Sequence, residues 1–165
     1  MMVKFTAWLD LVIEKLLMLL MIFIVASVSW QVLSRYLLHE PSSVSEEIAR
    51  FLLIWISMIG AVYCYRTKAH LGLDILTNKM KPQQQQQVEL FSHLVVFIFS
   101  AFVLIVGGCK LVQLSFDPVQ ISPALSLPMG LVYLVMPITG VLFCFYAVVE
   151  SLTLKNSKTV NEGIK

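Results

Sequence analysis

The sequence predicts an all-α integral membrane protein: four transmembrane helices plus a short cytoplasmic interfacial helix, forming a single membrane domain over residues 1–165. Composition is the first reason. The chain is 58% hydrophobic and 13% charged, with a mean hydropathy of +0.83, more apolar surface than a water-soluble core of this size can hide. The second is the presence of four long apolar runs. A bilayer asks for about 20 apolar residues whose backbone polar groups are bonded inside one helix. The third is charge asymmetry. Of 12 Lys and Arg residues, Lys4, Lys15, Arg66, Lys68, Lys79, Lys81, Lys155, Lys158 and Lys165 fall on the side of the termini, and only Arg35, Arg50 and Lys110 fall opposite. That bias predicts cytoplasmic termini and a cytoplasmic second connection.

The first span is expected over 8–34, with no charge from Leu16 to Ser34. Its apolar run starts after Asp10, Glu14 and Lys15 and has no A-x-A-like site after it, so a retained span is expected, not a cleaved signal. The second is expected over 44–66. Its uncharged centre, Phe51 to Tyr65, is short, so this helix must take in Glu46, Glu47 and Arg50 to cross. SSVSEE reads as its start: Ser43 and Glu46 have capping-box spacing, and Arg50 lies within ion-pair reach of both Glu46 and Glu47. At 100° per residue, Glu46 and Arg50 share a stripe with Ser57, Gly60, Ala61 and Cys64, while Phe51, Trp55, Met58, Ile59 and Val62 lie opposite. Small residues let membrane helices approach closely, so the small stripe is expected to be the internal seam and the bulky one to face lipid or another subunit.

The connection after span two carries Leu71, Ile75, Leu76 and Met80 on one side of a possible helix at 70–80, placed among headgroup phospholipids by nearby lysines. Pro82 suits the first position of a helix, and the five glutamines after it suit its polar first turn. The third span is expected over 84–112 and the fourth over 127–152, with a short tail at 155–165. Gly130, Pro137, Gly140, Cys144, Ala147 and Ser151 form a small-residue side of the fourth, and Pro137 should kink it. FDPVQISPALSLPMG, 116–130, has prolines at 118, 123 and 128 and should be extended and stiff, a surface for docking outside the membrane.

Signs of chemistry are few. No ionisable residue lies in the centre of any run, where each is costly and usually functional. Glu14 is followed by Lys15 near a helix end, which reads as an interfacial pair and not as a proton site. His39, His70 and His93 are scattered, without the opposed placement a haem needs, and Cys64, Cys109 and Cys144 fall one per run as expected packing residues. No metal, phosphate or nucleophile pattern appears, no cofactor is expected, and a net charge of +2 does not suggest nucleic acid. These features point to a non-catalytic membrane subunit. A stand-alone small four-helix transporter and a redox or haem anchor subunit are the alternatives.

RYLLHEPSSVSEEIARFLLIWISMIGAVYCYRTKAHLGLDIL resembles the hallmark region of the small (Q, DctQ-type) membrane subunit of tripartite ATP-independent periplasmic (TRAP) transporters. The residues that carry the likeness are Arg35 with Tyr36, Glu46 and Glu47 with Arg50, Trp55, Gly60 with Ala61, Arg66, and His70 with Asp74. SPALSLPM, with Pro123 and Pro128, is similar to the family's second patch, where glycine often stands at the place of Ser126. The resemblance implies a sodium-coupled importer of organic acids in the bacterial inner membrane. A large multi-span M-type subunit, paired one-to-one with this chain, would hold substrate and sodium, and a periplasmic substrate-binding protein would dock transiently. This chain would brace the large subunit's scaffold. The overall look leans towards a sialic-acid system over a C4-dicarboxylate one.

Overall fold

The structure, a computed structural model, describes residues 2–38, 42–67 and 82–162. They form α1 (Met2–Leu33) with a π-helical extension Ser34–Leu38, α2 (Ser43–Arg66), α3 (Pro82–Phe99), a π-helical stretch Ser100–Gly107, α4 (Gly108–Phe116), α5 (Met129–Tyr133) and α6 (Val135–Glu162). Among the described residues, four stretches are long and apolar enough to cross a membrane: Lys4–Leu37, Ser43–Arg66, Gln87–Phe116 and Met129–Leu154. The second span takes in Glu46, Glu47 and Arg50, and α3 opens at Pro82 with the glutamines in its first turns. The expected tail is helical as far as Glu162. The interfacial segment 70–80, with His70 and Asp74, lies outside the described residues.

The helices divide between two compact units. One holds the described residues of 1–63 and 110–135, the other those of 64–109 and 136–165. In the first, α1 meets its neighbours along a single line. From Leu17 to Ser34 the only buried or half-buried positions are 17, 20, 24, 27, 31 and 34. Alternating steps of three and four keep such a line straight along a helix. All other positions in that stretch are exposed.

Hydroxyl groups within the spans show how the backbone rule of a bilayer extends to side chains. With no water available, a serine or threonine returns its proton to its own helix. Ser34 donates to the Gln31 carbonyl, Ser57 to Leu53, Ser115 to Leu111, Thr139 to Met136 and Ser151 to Ala147, all at 2.7–3.0 Å. Ser27 is different. Its Oγ donates 3.0 Å across to the carbonyl of Ser45, stitching α1 to the first turn of α2.

The structure reverses the expected seam on α2. Ser57 and Ala61 are exposed, a Cβ added at Gly60 would have nothing within 4 Å, and Ile59, Val62 and Tyr65 are the buried residues. Small size permits close packing but does not require it; the bulky side offers more dispersion contact and is the one used. The cysteines are likewise not buried: Cys64 and Cys144 are intermediate and Cys109 is exposed.

The small side of the fourth span does pack inward. In the first unit, a Cβ on Gly130 would stand 2.5 Å from the Phe116 ring. In the second, the π-helical stretch is wider than an α-helix, so the residue facing it must be small. Gly140 fills that place, where a Cβ would lie 2.8 Å from Leu104 Cβ, 2.9 Å from Ile105 Cγ1 and 3.1 Å from the Ile105 backbone nitrogen. The backbone atom cannot swing aside. Gly140→Leu is therefore expected to destabilise the purified chain by about 1–3 kcal/mol, read as a lowered melting midpoint in detergent. Gly60→Leu in the same melt should stay within about 0.5 kcal/mol of wild type. The expected kink at Pro137 takes the form of a break at Leu134, between α5 and α6. Proline lacks an N–H and crowds the carbonyls of the preceding turn, so the interruption falls upstream of the ring.

Candidate functional site

Two polar constellations occur among the described residues, one in each unit. The first begins at the N-terminus of α2. Ser42 is the cap, its Oγ accepting from the Ser45 amide at 3.4 Å while Ser45 Oγ donates to the Ser42 carbonyl at 3.0 Å. The expected box on Ser43 and Glu46 is thus displaced by one residue. Ser43 is exposed, and Glu46 is engaged elsewhere: its Oε1 accepts from Arg50 Nη2 at 3.0 Å. That pair is largely open, with side-chain exposures of 66% and 58%, so its own contribution is about 0.3–0.5 kcal/mol.

Glu47 behaves differently. It is buried, and its Oε2 accepts the backbone amides of Ala124 at 3.0 Å and Leu125 at 2.9 Å. One carboxylate oxygen therefore holds the tip of the loop joining α4 to α5. The loop is not extended, as its prolines suggested, but folded back on itself. Gln120 N–H donates to the Ser115 carbonyl, Ser122 N–H to Leu127 and Met129 N–H to Gln120, each at 2.9 Å. Pro128 bridges to Ile121, and the Asp117–Pro118 bond is cis. Three prolines stiffen a segment without choosing its direction; here the turn is closed by backbone bonds and by Glu47. The fold-back also places Ser126 at φ 54°, in the left-handed region where glycine is the easy residue. A notch of about 260 Å³ lies between the start of α2 and this loop, lined by Ser43, Glu46, Glu47, Arg50, Pro123 and Ala124.

The second constellation joins α2, α3 and α6. Arg66 pairs with Glu150, whose side chain is 8% exposed, and the guanidinium carbon stands 5.7 Å from the Tyr146 ring centroid. One residue earlier, Tyr65 Oη is 2.6 Å from His93 Nδ1, and the Tyr65 ring meets Phe143 edge-on at 5.6 Å. Adjacent residues at the end of α2 thus grip two different helices. Glu150 is matched by Arg66 and the Tyr65 hydroxyl by His93 Nδ1, which is how ionisable groups persist within a span.

Of the residues singled out from the sequence, the structure brings Glu46, Glu47, Arg50 and Pro123 together around the notch. Arg66 belongs to the other constellation, Pro128 pairs with Ile121, Arg35 is exposed in the π-helical extension and Trp55 is half-buried. Sequence reasoning missed Glu150, Tyr146 and the Tyr65–His93 contact. One signal was present: Glu150 closes the fourth uncharged run as Arg66 closes the second, and both lie on one side of the predicted topology. No group of three or more His, Cys, Asp or Glu able to hold a metal occurs among the described residues.

Four apolar spans, with polar groups bonded to one another at their ends, are the make-up of a multi-pass membrane protein. Residues 24–155 match the family model described as "Tripartite ATP-independent periplasmic transporters, DctQ component". A TRAP transporter small permease protein of Haemophilus influenzae is 31% identical over 134 residues, 79% of this chain and 81% of the relative. The C4-dicarboxylate TRAP transporter small permease protein DctQ of Rhodobacter capsulatus is 30% identical over 101 residues, 61% of this chain and 44% of that protein. The isethionate TRAP transporter permease protein DctMQ of Oleidesulfovibrio alaskensis is 31% identical over 139 residues, 80% of this chain but 22% of that protein. This chain belongs to the DctQ family: it is the small permease component of a TRAP transporter, and it is not an enzyme.

Proposed function

We propose that this chain braces the scaffold of a large M-type subunit, one-to-one, in a sodium-coupled importer of organic anions in the bacterial inner membrane, with both termini cytoplasmic. The observation that carries this reading is the fused relative. In DctMQ the matching portion is about a fifth of a longer permease polypeptide, and the same holds for the sialic acid permease SiaT of Haemophilus influenzae, where the chain covers 21%. A fusion fixes the ratio of its parts at one to one. The substrates in the relatives' names are C4-dicarboxylates, isethionate and sialic acid. They share an anionic group on a small polar body, and that is the class proposed here, sialic acid being one member. A periplasmic binding protein would deliver the anion, while substrate and sodium sites belong to the large subunit. The described polar groups of this chain support that division, since they are spent on holding its own helices and loop.

Affinity purification in mild detergent tests the proposal. A much larger polytopic protein should be recovered in one-to-one ratio. Gly60→Leu with Ala61→Leu, on the open face of α2, should lower that recovery while leaving the melt of the chain alone unchanged. Sodium-dependent uptake by liposomes containing only this chain would overturn it.

A further inference from the structure

From Leu90 to Cys109 the third span carries no Asp, Glu, Lys or Arg, a run of about 20 residues that as a helix matches the thickness of the hydrocarbon layer. Lys110 therefore stands where the hydrocarbon ends, and the rest of α4 rises through the headgroup layer to Asp117. Lys110, Gln113, Leu114 and Asp117 follow one another at helical spacing, all exposed, and line a hollow of about 360 Å³ in the first unit. Neither Lys110 nor Asp117 has a side-chain hydrogen bond or ion pair with any described residue. Asp117 is also placed against its own helix. It directly follows Phe116, the last residue of α4, and its amide still donates to the Gln113 carbonyl at 3.1 Å. That end of a helix dipole is negative and favours a cation, so α4 gains nothing from this acid.

We propose that this face of α4 holds the headgroup of an amino-phospholipid of the phosphatidylethanolamine type, its phosphate at Lys110 and its ammonium at Asp117. The order of the two charges along the helix selects it. In such a headgroup the phosphate lies next to the glycerol and the ammonium further from the acyl chains. The helix offers its cation nearer the hydrocarbon and its anion further out. A lysine at that depth keeps its stem in the apolar layer and its own ammonium at phosphate level. Below it Phe102, Val103 and Val106 are exposed, apolar surface for the acyl chains. An anionic headgroup would meet Lys110 equally well but be repelled by Asp117. A choline headgroup has no N–H with which to make a charge-assisted bond to the carboxylate. A partner protein could present its charges in either order; a phospholipid cannot, and the order here is the phospholipid's.

Native mass spectrometry on the full chain in mild detergent tests this, with titrations of phosphatidylethanolamine, phosphatidylglycerol and phosphatidylcholine carrying the same acyl chains. Phosphatidylethanolamine is expected to bind roughly threefold more tightly than either of the others, the size of one exposed ion pair. Asp117→Asn should erase that preference. Lys110→Gln should weaken phosphatidylethanolamine binding roughly fivefold, the factor for one lysine near a phosphate. Both positions are exposed, so both variants should melt as the wild type does. Equal affinities in the wild type, a preference that survives Asp117→Asn, or binding untouched by Lys110→Gln would each overturn the proposal. A photoreactive phenylalanine analogue in place of Leu114, in membranes carrying the complete transporter, should capture lipid. Capture of a second protein there would overturn the proposal as well.

Discussion

Arg66→Leu is expected to be the most damaging single change in the second unit, destabilising the chain by about 3–5 kcal/mol. Glu150 is buried, and the substitution takes away its countercharge. The two sides of the pair are not equivalent. Arg66 is 30% exposed on its side chain and has a long stem with which to lift its head towards water, so Glu150→Leu should cost less than Arg66→Leu. Removing both charges, Arg66→Leu with Glu150→Leu, should recover most of the loss, because an apolar pair of similar size avoids the desolvation that the ion pair must offset. Thermal melts of the three variants in one detergent give the order directly. A double variant as unstable as Arg66→Leu would mean that the pair is not what the cluster depends on.

Glu47→Ala should release the loop between α4 and α5. One oxygen of Glu47 takes two adjacent amides, and an alanine leaves both without that acceptor. Hydrogen exchange at Ala124 and Leu125 should then accelerate on the order of tenfold or more. Glu47→Gln keeps an oxygen where the carboxylate oxygen was and should fall between, since a neutral acceptor bonds less strongly than a charged one. Glu46→Gln serves as the control: it breaks an exposed pair on the same helix turn and should leave exchange at those amides unchanged. Unaltered exchange in Glu47→Ala would show that the loop is held by its own backbone bonds alone. In cells carrying the complete transporter, Glu47→Ala should reduce uptake without altering which substrate is chosen.

The four spans were legible because they rest on quantities summed over many residues. Run length and the placement of charge survive local errors, and the second span's need to include Glu46, Glu47 and Arg50 followed from length alone. The α2 seam was not legible. A helical wheel separates the small side, Ser57, Gly60 and Ala61, from the bulky side, Ile59 and Val62, but it carries no sign for which faces inward. In water the apolar side goes in; between lipid and protein both sides are acceptable, and the decision rests with partners distant in sequence. The same limit applies to Glu47. Its neighbour Glu46 has equal charge and nearly equal spacing to Arg50, yet one pairs locally and the other reaches residues 77 and 78 positions away. Spacing rules see i+4 partners; they cannot see a loop folding back. Ser126 is the instructive intermediate. Its left-handed backbone was foreshadowed only by the family's habit of placing glycine there.

The single line of contact along α1 has a consequence for biosynthesis. This segment is synthesised before the first turn of α2 that it bonds to, so the insertion machinery must accept it as a hydrophobic rod without that partner. With nearly its whole circumference already suited to hydrocarbon, it can wait there at no cost, and the arrival of Ser45 then supplies the acceptor that fixes its rotation.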